Sequence, residues 1–167
     1  MKQLLVFFAV VGLLAPLGTR ASASPVSDKA RAKALYHQGK KFYKQGKYVR
    51  AAESFKAALR HRSHPTILFN IALCYGMMKK HVEAATYARR YLAQVTGKNR
   101  SLPKVLQAAM AAVGVVLVRA PDPTAEIYLD GALAGKGRVE RVVAPGRHTV
   151  ELKQGARVLA KRTLVVT

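Results

Sequence analysis

The histidine pair His61 and His64 is the first feature of the chain whose residue types could carry chemistry. Its spacing, with Arg62 in between, could ligate a metal ion, but no carboxylate or further histidine lies close in sequence. Cations near the C-terminus of a helix also interact favourably with the helix dipole. The pair is therefore interpreted as a helix end, and no metal site is predicted.

Paired carboxylates for general acid–base catalysis are scarce in the first part of the chain. Residues 24–100 contain three acidic residues, Asp28, Glu53 and Glu83. No pattern in the sequence places two of these carboxylates together as a catalytic pair. The segment Gly135-Lys136-Gly137 lacks the strand-to-helix context that a phosphate-binding loop needs. The sequence therefore predicts a protein that is not an enzyme and that uses no cofactor.

One predicted helical face combines cationic with aromatic side chains. At 100° per residue, Leu35 and Phe42 are expected on the side of the helix opposite to this face. The face occupies about a third of the helix circumference. Its members are Lys33, Tyr36, His37, Lys40, Tyr43 and Lys44.

Positive charge is the most unusual property of the composition. The 167 residues include 29 Lys and Arg against 8 Asp and Glu, which gives a net charge of +21. Residues 24–100 carry 17 basic and 3 acidic side chains, whereas residues 101–167 carry 10 and 5. A field of this size attracts polyanions, although it does not specify which polyanion.

The chain repeats itself at an interval of 33 residues. Eight positions between Leu35 and Leu59 correspond in residue type to eight positions between Leu68 and Leu92. In the first copy, Gly46 separates two segments in which apolar residues recur at helical spacing. The sequence therefore predicts two helical hairpins.

Small residues at matching positions of the two copies would let the helices approach each other closely. They are Gly39 and Ala72 on the first helices, and Ala51 and Ala84 on the second. The residue types and spacings resemble the tetratricopeptide repeat. The resemblance includes the run between the helices, Tyr43-Lys44-Gln45-Gly46-Lys47-Tyr48. In that family the first helix of each hairpin lines a concave ligand groove.

The resemblance implies a ligand groove that is cationic at one end and apolar at the other. The apolar end would come from the first helix of the second hairpin. The pattern also fits a solvated basic face beside an ordinary core. The candidate ligand-binding residues are Lys33, Tyr36, Lys40, Tyr43, Lys44, Phe69, Leu73 and Met77.

A capping helix and a β-module are predicted after the hairpins. Two repeats bury their apolar faces incompletely, and residues 101–113, with Pro103 near a helix start, have the spacing of a further helix that caps the stack. After residue 113, apolar and polar residues alternate as in β-strands, and segments with glycine and proline separate the alternating runs as turns. The predicted fold class is α+β: helical hairpins with a capping helix, followed by a small antiparallel β-sandwich-like module. The predicted strands cover residues 115–118, 126–129, 138–143, 149–152 and 158–166.

Two segments of the β-module resemble the PEGA domain. They are Ala125-Glu126-Ile127-Tyr128-Leu129-Asp130-Gly131 and Ala144-Pro145-Gly146-Arg147-His148-Thr149-Val150-Glu151-Leu152. This family is a small extracytoplasmic β-domain that is often joined to tetratricopeptide repeats in bacterial envelope and surface proteins. The resemblance implies adhesion or interaction and carries over no catalytic residue. Asp130 is expected in a hairpin turn, and His148 is expected to pack or to hydrogen-bond to a turn.

The N-terminal residues read as a signal peptide. Lys2 precedes an apolar run at residues 4–17 that is too short to span a membrane, and Ala21-Ser22-Ala23 forms a cleavage site. The predicted domains are the signal peptide (1–23), the helical module (24–112) and the β-module (113–167). The sole cysteine, Cys74, lies in an apolar stretch and is expected to be buried without a disulfide partner.

These features together predict a non-enzymatic interaction or scaffold protein in the bacterial periplasm or at the cell surface. Its expected partner is an envelope protein or an anionic envelope polymer such as a polysaccharide or peptidoglycan. The alternative is a basic nucleic-acid-binding module. Export argues against a genomic target, and no motif with base-reading side chains occurs in the sequence.

Overall fold

A computed structural model describes residues 27–167, apart from the side chains of Lys98 and Asn99. The predicted signal peptide lies outside these residues. Within them, α-helices precede antiparallel β-sheets, which confirms the predicted α+β order. None of the helices between residues 27 and 167 is both long and apolar enough to cross a membrane. The helices are α1 (Asp28–Lys44), α2 (Tyr48–His61), α3 (Pro65–Met77), α4 (His81–Leu92) and α5 (Lys104–Ala111).

The two helical hairpins have turns of matching backbone geometry. Gly46 adopts a left-handed φ of 71°, and Lys79, 33 positions later, adopts a φ of 57°. The Lys47 N–H donates to the Phe42 carbonyl at 3.0 Å, and the corresponding bond in the second turn is also 3.0 Å. A left-handed conformation costs a non-glycine residue about 1–2 kcal/mol. The packing of α3 and α4 therefore imposes on Lys79 a geometry that glycine adopts freely.

A close approach between α1 and α2 forms the centre of the first hairpin. Phe55 is fully buried among residues of α1, α2 and α3. A methyl group added at Gly39 would lie 2.6 Å from Cε1 of Phe55. The absence of a side chain at Gly39 thus makes room for the largest buried residue of this core.

Helix α5 covers the open side of the second hairpin, as the capping-helix prediction requires. Leu106 and Ala109 of α5 are fully buried against Ala72, Ala84 and Ala88 of α3 and α4. The helix is shorter than the predicted 101–113. It begins after Pro103, whose extended ψ of 153° places it at the N-cap rather than inside the helix.

The β-strands form two antiparallel sheets that face each other. One sheet pairs β1 with β4, and the other has the order β3-β2-β5-β6. Val116, Ile127, Val139 and Val150 come from both sheets and form the core between them. The strands are β1 (Gly114–Arg119), β2 (Glu126–Leu129), β3 (Ala132–Lys136), β4 (Arg138–Val143), β5 (Gly146–Gln154) and β6 (Arg157–Val166).

Strand β6 lies at the edge of its sheet, and within the described residues it pairs only with β5. Leu164 and Val166 near its end pack against the core, and Val166 abuts Gly114 of β1. Residues 157–163 are all exposed. The first part of β6 therefore extends beyond the sandwich core.

Candidate functional site

Helix α1 begins earlier than the apolar period alone indicates. The Ser27 hydroxyl accepts a hydrogen bond from the Ala30 N–H at 3.3 Å, and Asp28 in the first turn complements the positive end of the helix dipole. The added turn brings Lys29 onto the face that carries the predicted lysines. We call the four exposed lysines of this face the basic stripe: Lys29, Lys33, Lys40 and Lys44.

No lysine of the basic stripe forms an ion pair with any side chain that the structure describes. The nearest acidic residue in sequence, Asp28, instead pairs with Nδ1 of His61 at 3.0 Å. Lys40 is the one stripe residue with a ring contact, since its Nζ lies 6.0 Å from the centre of the Tyr36 ring. The stripe therefore presents unneutralised positive charge to solvent.

The structure corrects the predicted position of the two tyrosines. Tyr36 and Tyr43 are half-buried and pack against the same core as Leu35 and Phe42, so the expected separation of these two pairs is wrong. The Tyr36 ring lies 5.5 Å from the Phe55 ring. The physical reason is the close approach of α1 to α2, which covers side chains at the borders of the buried face as well as at its centre.

Both tyrosines nevertheless lie at the border between the core and the basic stripe. The Tyr36 hydroxyl accepts a hydrogen bond from Nδ2 of Asn70 on α3 at 3.3 Å. The Tyr43 ring lies 5.4 Å from the Tyr48 ring, and burial raises the pKa of the Tyr43 hydroxyl. Each tyrosine thus acts mainly as a packing residue whose edge adjoins the lysines.

An open pocket of about 300 Å³, called here the end pocket, lies between α1 and the connection from α2 to α3. Cationic side chains surround its apolar floor, and no acidic residue lines it. The arrangement suits an anionic group attached to an apolar body or to a sugar ring. The lining residues are Lys29, Ala32, Lys33, Tyr36, Arg62, His64, Thr66 and Ile67.

His64 has a structural role at the same place. Its Nδ1 accepts a hydrogen bond from the Thr66 N–H at 3.2 Å and so caps α3. Because Nδ1 acts as an acceptor there, the Nε2 atom carries the proton of the neutral ring. Among the described residues, no group of three or more His, Cys, Asp or Glu side chains could hold a metal ion.

A second open pocket, of about 410 Å³, lies farther along α1. It is also free of acidic lining residues, and it includes two lysines of the basic stripe. Positive charge thus continues from the end pocket along the helix. The lining residues are His37, Lys40, Lys41, Lys44 and Gln45.

The apolar candidates of the second hairpin belong to a different core. Phe69 and Leu73 are half-buried against the cluster built by α3, α4 and α5, and the Phe69 ring lies 5.2 Å from the Tyr91 ring. Met77 is 43% exposed. The tyrosines of α1 pack against the other helical cluster. A groove that joins these residues to the basic stripe remains a prediction.

Six of the eight end-pocket residues are absent from the sequence-based candidates, and three of these six, Lys29, Arg62 and His64, have basic side chains. Lys29 lies four residues before Lys33, and this helical spacing was a signal that could have identified it. Arg62 and His64 reach the pocket only because the second helix of the hairpin returns to the start of α1. No family model matches the chain, and comparison with curated proteins and with solved structures found no match.

Proposed function

We propose that this protein is a non-enzymatic binding protein of the bacterial cell envelope whose basic stripe binds an anionic envelope polymer. The observation that carries the proposal is the series of lysines from Lys29 to Lys44 on one face of α1, none of which forms an ion pair with a side chain that the structure describes. Lys29 and Lys44 are fifteen positions apart, which in an α-helix corresponds to about 22 Å along the axis. The stripe is therefore long enough to contact several repeating units of a polymer.

The distribution of charge favours an extended polyanion over a small ligand. At physiological ionic strength, exposed charges are screened beyond about 8 Å, so Lys29 and Lys44 at opposite ends of the stripe interact with separate anionic groups. Each contact contributes little alone, because exposed ion pairs are worth about 1 kcal/mol or less. Affinity arises from several such contacts along one polymer.

The end pocket gives the stripe a chemically different terminus. Its apolar floor, formed by Ala32, Tyr36 and Ile67, lies beside Lys29 and Lys33. The apolar face of a sugar ring can pack on such a floor while an attached carboxylate meets the lysines. This geometry supports an anionic polysaccharide as the preferred class of ligand.

The envelope location rests on the sequence. The predicted signal peptide supports export, and the hairpin turns at Gly46 and Lys79 support the resemblance to tetratricopeptide repeats through their shared geometry. The antiparallel sandwich supports the resemblance to the PEGA domain. A second contact through the β-module, with an envelope protein, belongs to the same proposal.

The test compares two triple variants with equal charge changes. Lys33, Lys40 and Lys44 are replaced with glutamate in one variant, and the exposed residues Lys56, Lys80 and Lys104 in the control. Binding of the mature chain to polygalacturonate, to neutral dextran and to double-stranded DNA is measured at about 50 mM and about 300 mM salt. Circular dichroism checks that both variants fold.

We expect the stripe variant to lose polygalacturonate binding and the control to keep most of it. Wild-type affinity should fall steeply with salt, and dextran should not bind. Equal losses in the two variants would mean that net charge alone attracts the polymer, which would contradict the proposal. Stronger binding of DNA than of polygalacturonate at both salt concentrations would instead favour the nucleic-acid alternative.

A further inference from the structure

A cleft lies where the helices meet the β-sandwich. It has a volume of about 310 Å³ and lies between α4 and β4. Three of its lining side chains are arginines and one is a glutamate, so the lining carries a net charge of +2. We call it the junction cleft. Its lining residues are Thr86, Arg89, Arg90, Glu140, Arg141 and Val142.

Each guanidinium group of the junction cleft has a contact that restricts its position. Arg89 forms an ion pair with the Glu140 carboxylate, across the junction. Arg90 lies over the Tyr87 ring, with its Cζ 5.2 Å from the ring centre. Arg141 donates to the Glu140 carbonyl at 3.1 Å and to a carbonyl of β3. All three cations line the same cleft, and among its lining residues only Glu140 carries a carboxylate.

Arginine is the side chain best suited to binding tetrahedral oxyanions. Its planar guanidinium presents parallel N–H donors that match the spacing of phosphate oxygens. The volume of the cleft is at the lower end of the range for small-molecule pockets. The Thr86 side chain donates its hydroxyl proton to the Val82 carbonyl at 2.7 Å, so its oxygen keeps lone pairs but no free donor. The arginines supply the donors for an anion.

We propose that the junction cleft binds a phosphate group, either as an inorganic phosphate or as the phosphate ester of a small molecule. The phosphate competes with the Glu140 carboxylate for Arg89, and Arg90 supplies a second charge. Removal of Glu140 should therefore strengthen binding, and removal of Arg90 should weaken it. The cleft shares no residue with the basic stripe, so it does not depend on the function proposed above.

The experiment measures binding of inorganic pyrophosphate and of glucose 6-phosphate to the mature chain by isothermal titration calorimetry at low salt. Arg90→Gln is compared with Arg60→Gln, which removes one exposed arginine of α2 outside the cleft. Glu140→Gln is compared with Glu53→Gln, which removes one exposed glutamate of α2. Each pair has equal net charge, so only the position of the change differs.

We expect Arg90→Gln to bind pyrophosphate about fivefold more weakly than Arg60→Gln, the effect of one partly screened charge contact. Glu140→Gln should bind more tightly than both wild type and Glu53→Gln. Binding of both ligands supports phosphate esters as occupants, and binding of pyrophosphate alone supports free inorganic phosphates. The proposal is overturned if wild type binds neither ligand, if the members of each pair behave alike, or if Glu140→Gln binds more weakly than wild type.

Discussion

The imidazole ring of His148 forms a hydrogen bond with the carboxylate of Asp130, with Nδ1 and Oδ2 2.7 Å apart. The other ring nitrogen, Nε2, lies 2.8 Å from the Ala144 carbonyl oxygen. Because both nitrogens face acceptors, both must be protonated for both bonds to form. Asp130 also accepts the Thr149 N–H at 2.8 Å through its other oxygen. His148 therefore ties the β2–β3 turn to the start of β5, which confirms its predicted hydrogen bond to a turn.

This contact predicts a pH window for the stability of the β-module. The bond to Asp130 raises the pKa of His148 above its ordinary 6.5, and the same bond lowers the pKa of Asp130 below its ordinary 3.8. The stabilisation that protonated His148 gives the folded module is fully present below pH 6.5. It is lost as pH rises through the raised pKa of His148. The stabilisation that ionised Asp130 gives the folded module is fully present above pH 3.8. It is lost as pH falls through the lowered pKa of Asp130.

His148→Gln should therefore be less stable than wild type by about 1 kcal/mol near pH 5 and should approach wild type in alkaline solution. Thermal unfolding followed by circular dichroism across this range measures the difference. The control is His81→Gln, which changes an exposed histidine of α4. A constant gap between wild type and His148→Gln at all pH values would show that the charged ring is not responsible.

Substitution of Gly39 should destabilise the helical module. Gly39→Ala places a methyl group against the fully buried Phe55 ring, and such overpacking typically costs about 1–3 kcal/mol. Gly76→Ala is the matched control, because its methyl group would lie 3.1 Å from a terminal methyl of Val105 and 3.3 Å from one of Leu106, both wider than the 2.6 Å contact at Gly39. Both variants gain helix propensity of about 1 kcal/mol. Urea denaturation should give Gly39→Ala a lower free energy of unfolding than Gly76→Ala. The reverse order would contradict the close approach of α1 to α2 at Gly39.

Cys74 should react with thiol reagents only when the helical module opens. Its side chain is fully buried, and this burial raises the thiol pKa to about 12. The reactive thiolate is therefore scarce as well as shielded at about pH 8. Iodoacetamide labelling followed by mass spectrometry should be slow for the native chain and fast in denaturant. Ser63→Cys in a Cys74→Ala background supplies the exposed control, and equally fast labelling of both native proteins would contradict the buried position.

The two modules should unfold in separable steps. The core of the β-sandwich consists entirely of residues from 116 to 166, and the helical cores consist of residues from 35 to 110. Residues 112–167 expressed alone should give a mainly β circular dichroism spectrum, although a domain of about 55 residues is only marginally stable. In the full chain, Phe55→Ala should lower the unfolding temperature of the helical module only. His148→Gln should lower the unfolding temperature of the β-module only. A helical or unfolded spectrum for residues 112–167 would count against a self-sufficient β-module.

Most of the secondary structure was predictable because its signals are local. The helical period identifies α1 to α5, and alternation identifies five of the strands, with β2 and β4 at their predicted limits. Strand β3 was missed because Ala132, Ala134 and Gly135 have low β propensity. Its pairing with β2 across a two-residue turn makes it a strand. The signal at Asp130-Gly131, where both residues have positive φ, already required a partner strand on its far side.

The candidate site was predictable along α1 but not across the fold. Angular spacing places Lys33, Lys40 and Lys44 on one face, and the structure exposes all three. The same spacing cannot give the depth to which a neighbouring helix covers the face, so Tyr36 and Tyr43 were assigned to the wrong environment. That depth depends on how closely Gly39 allows the helices to approach. Contacts between distant segments, such as those around the junction cleft, have no local signal.

The edge of β6 has a consequence for the colloidal behaviour of the protein. Exposed sheet edges are templates for edge-to-edge aggregation, and charged residues on an edge oppose it. Residues 157–163 combine the exposed Val158 and Leu159 with the cations Arg157 and Arg162, whereas Lys161 pairs with Glu151 of the neighbouring strand at 2.7 Å. Two such edges repel each other at low ionic strength, but salt screens this repulsion and leaves the apolar side chains exposed. Concentrated solutions of the protein are therefore most resistant to precipitation at low salt.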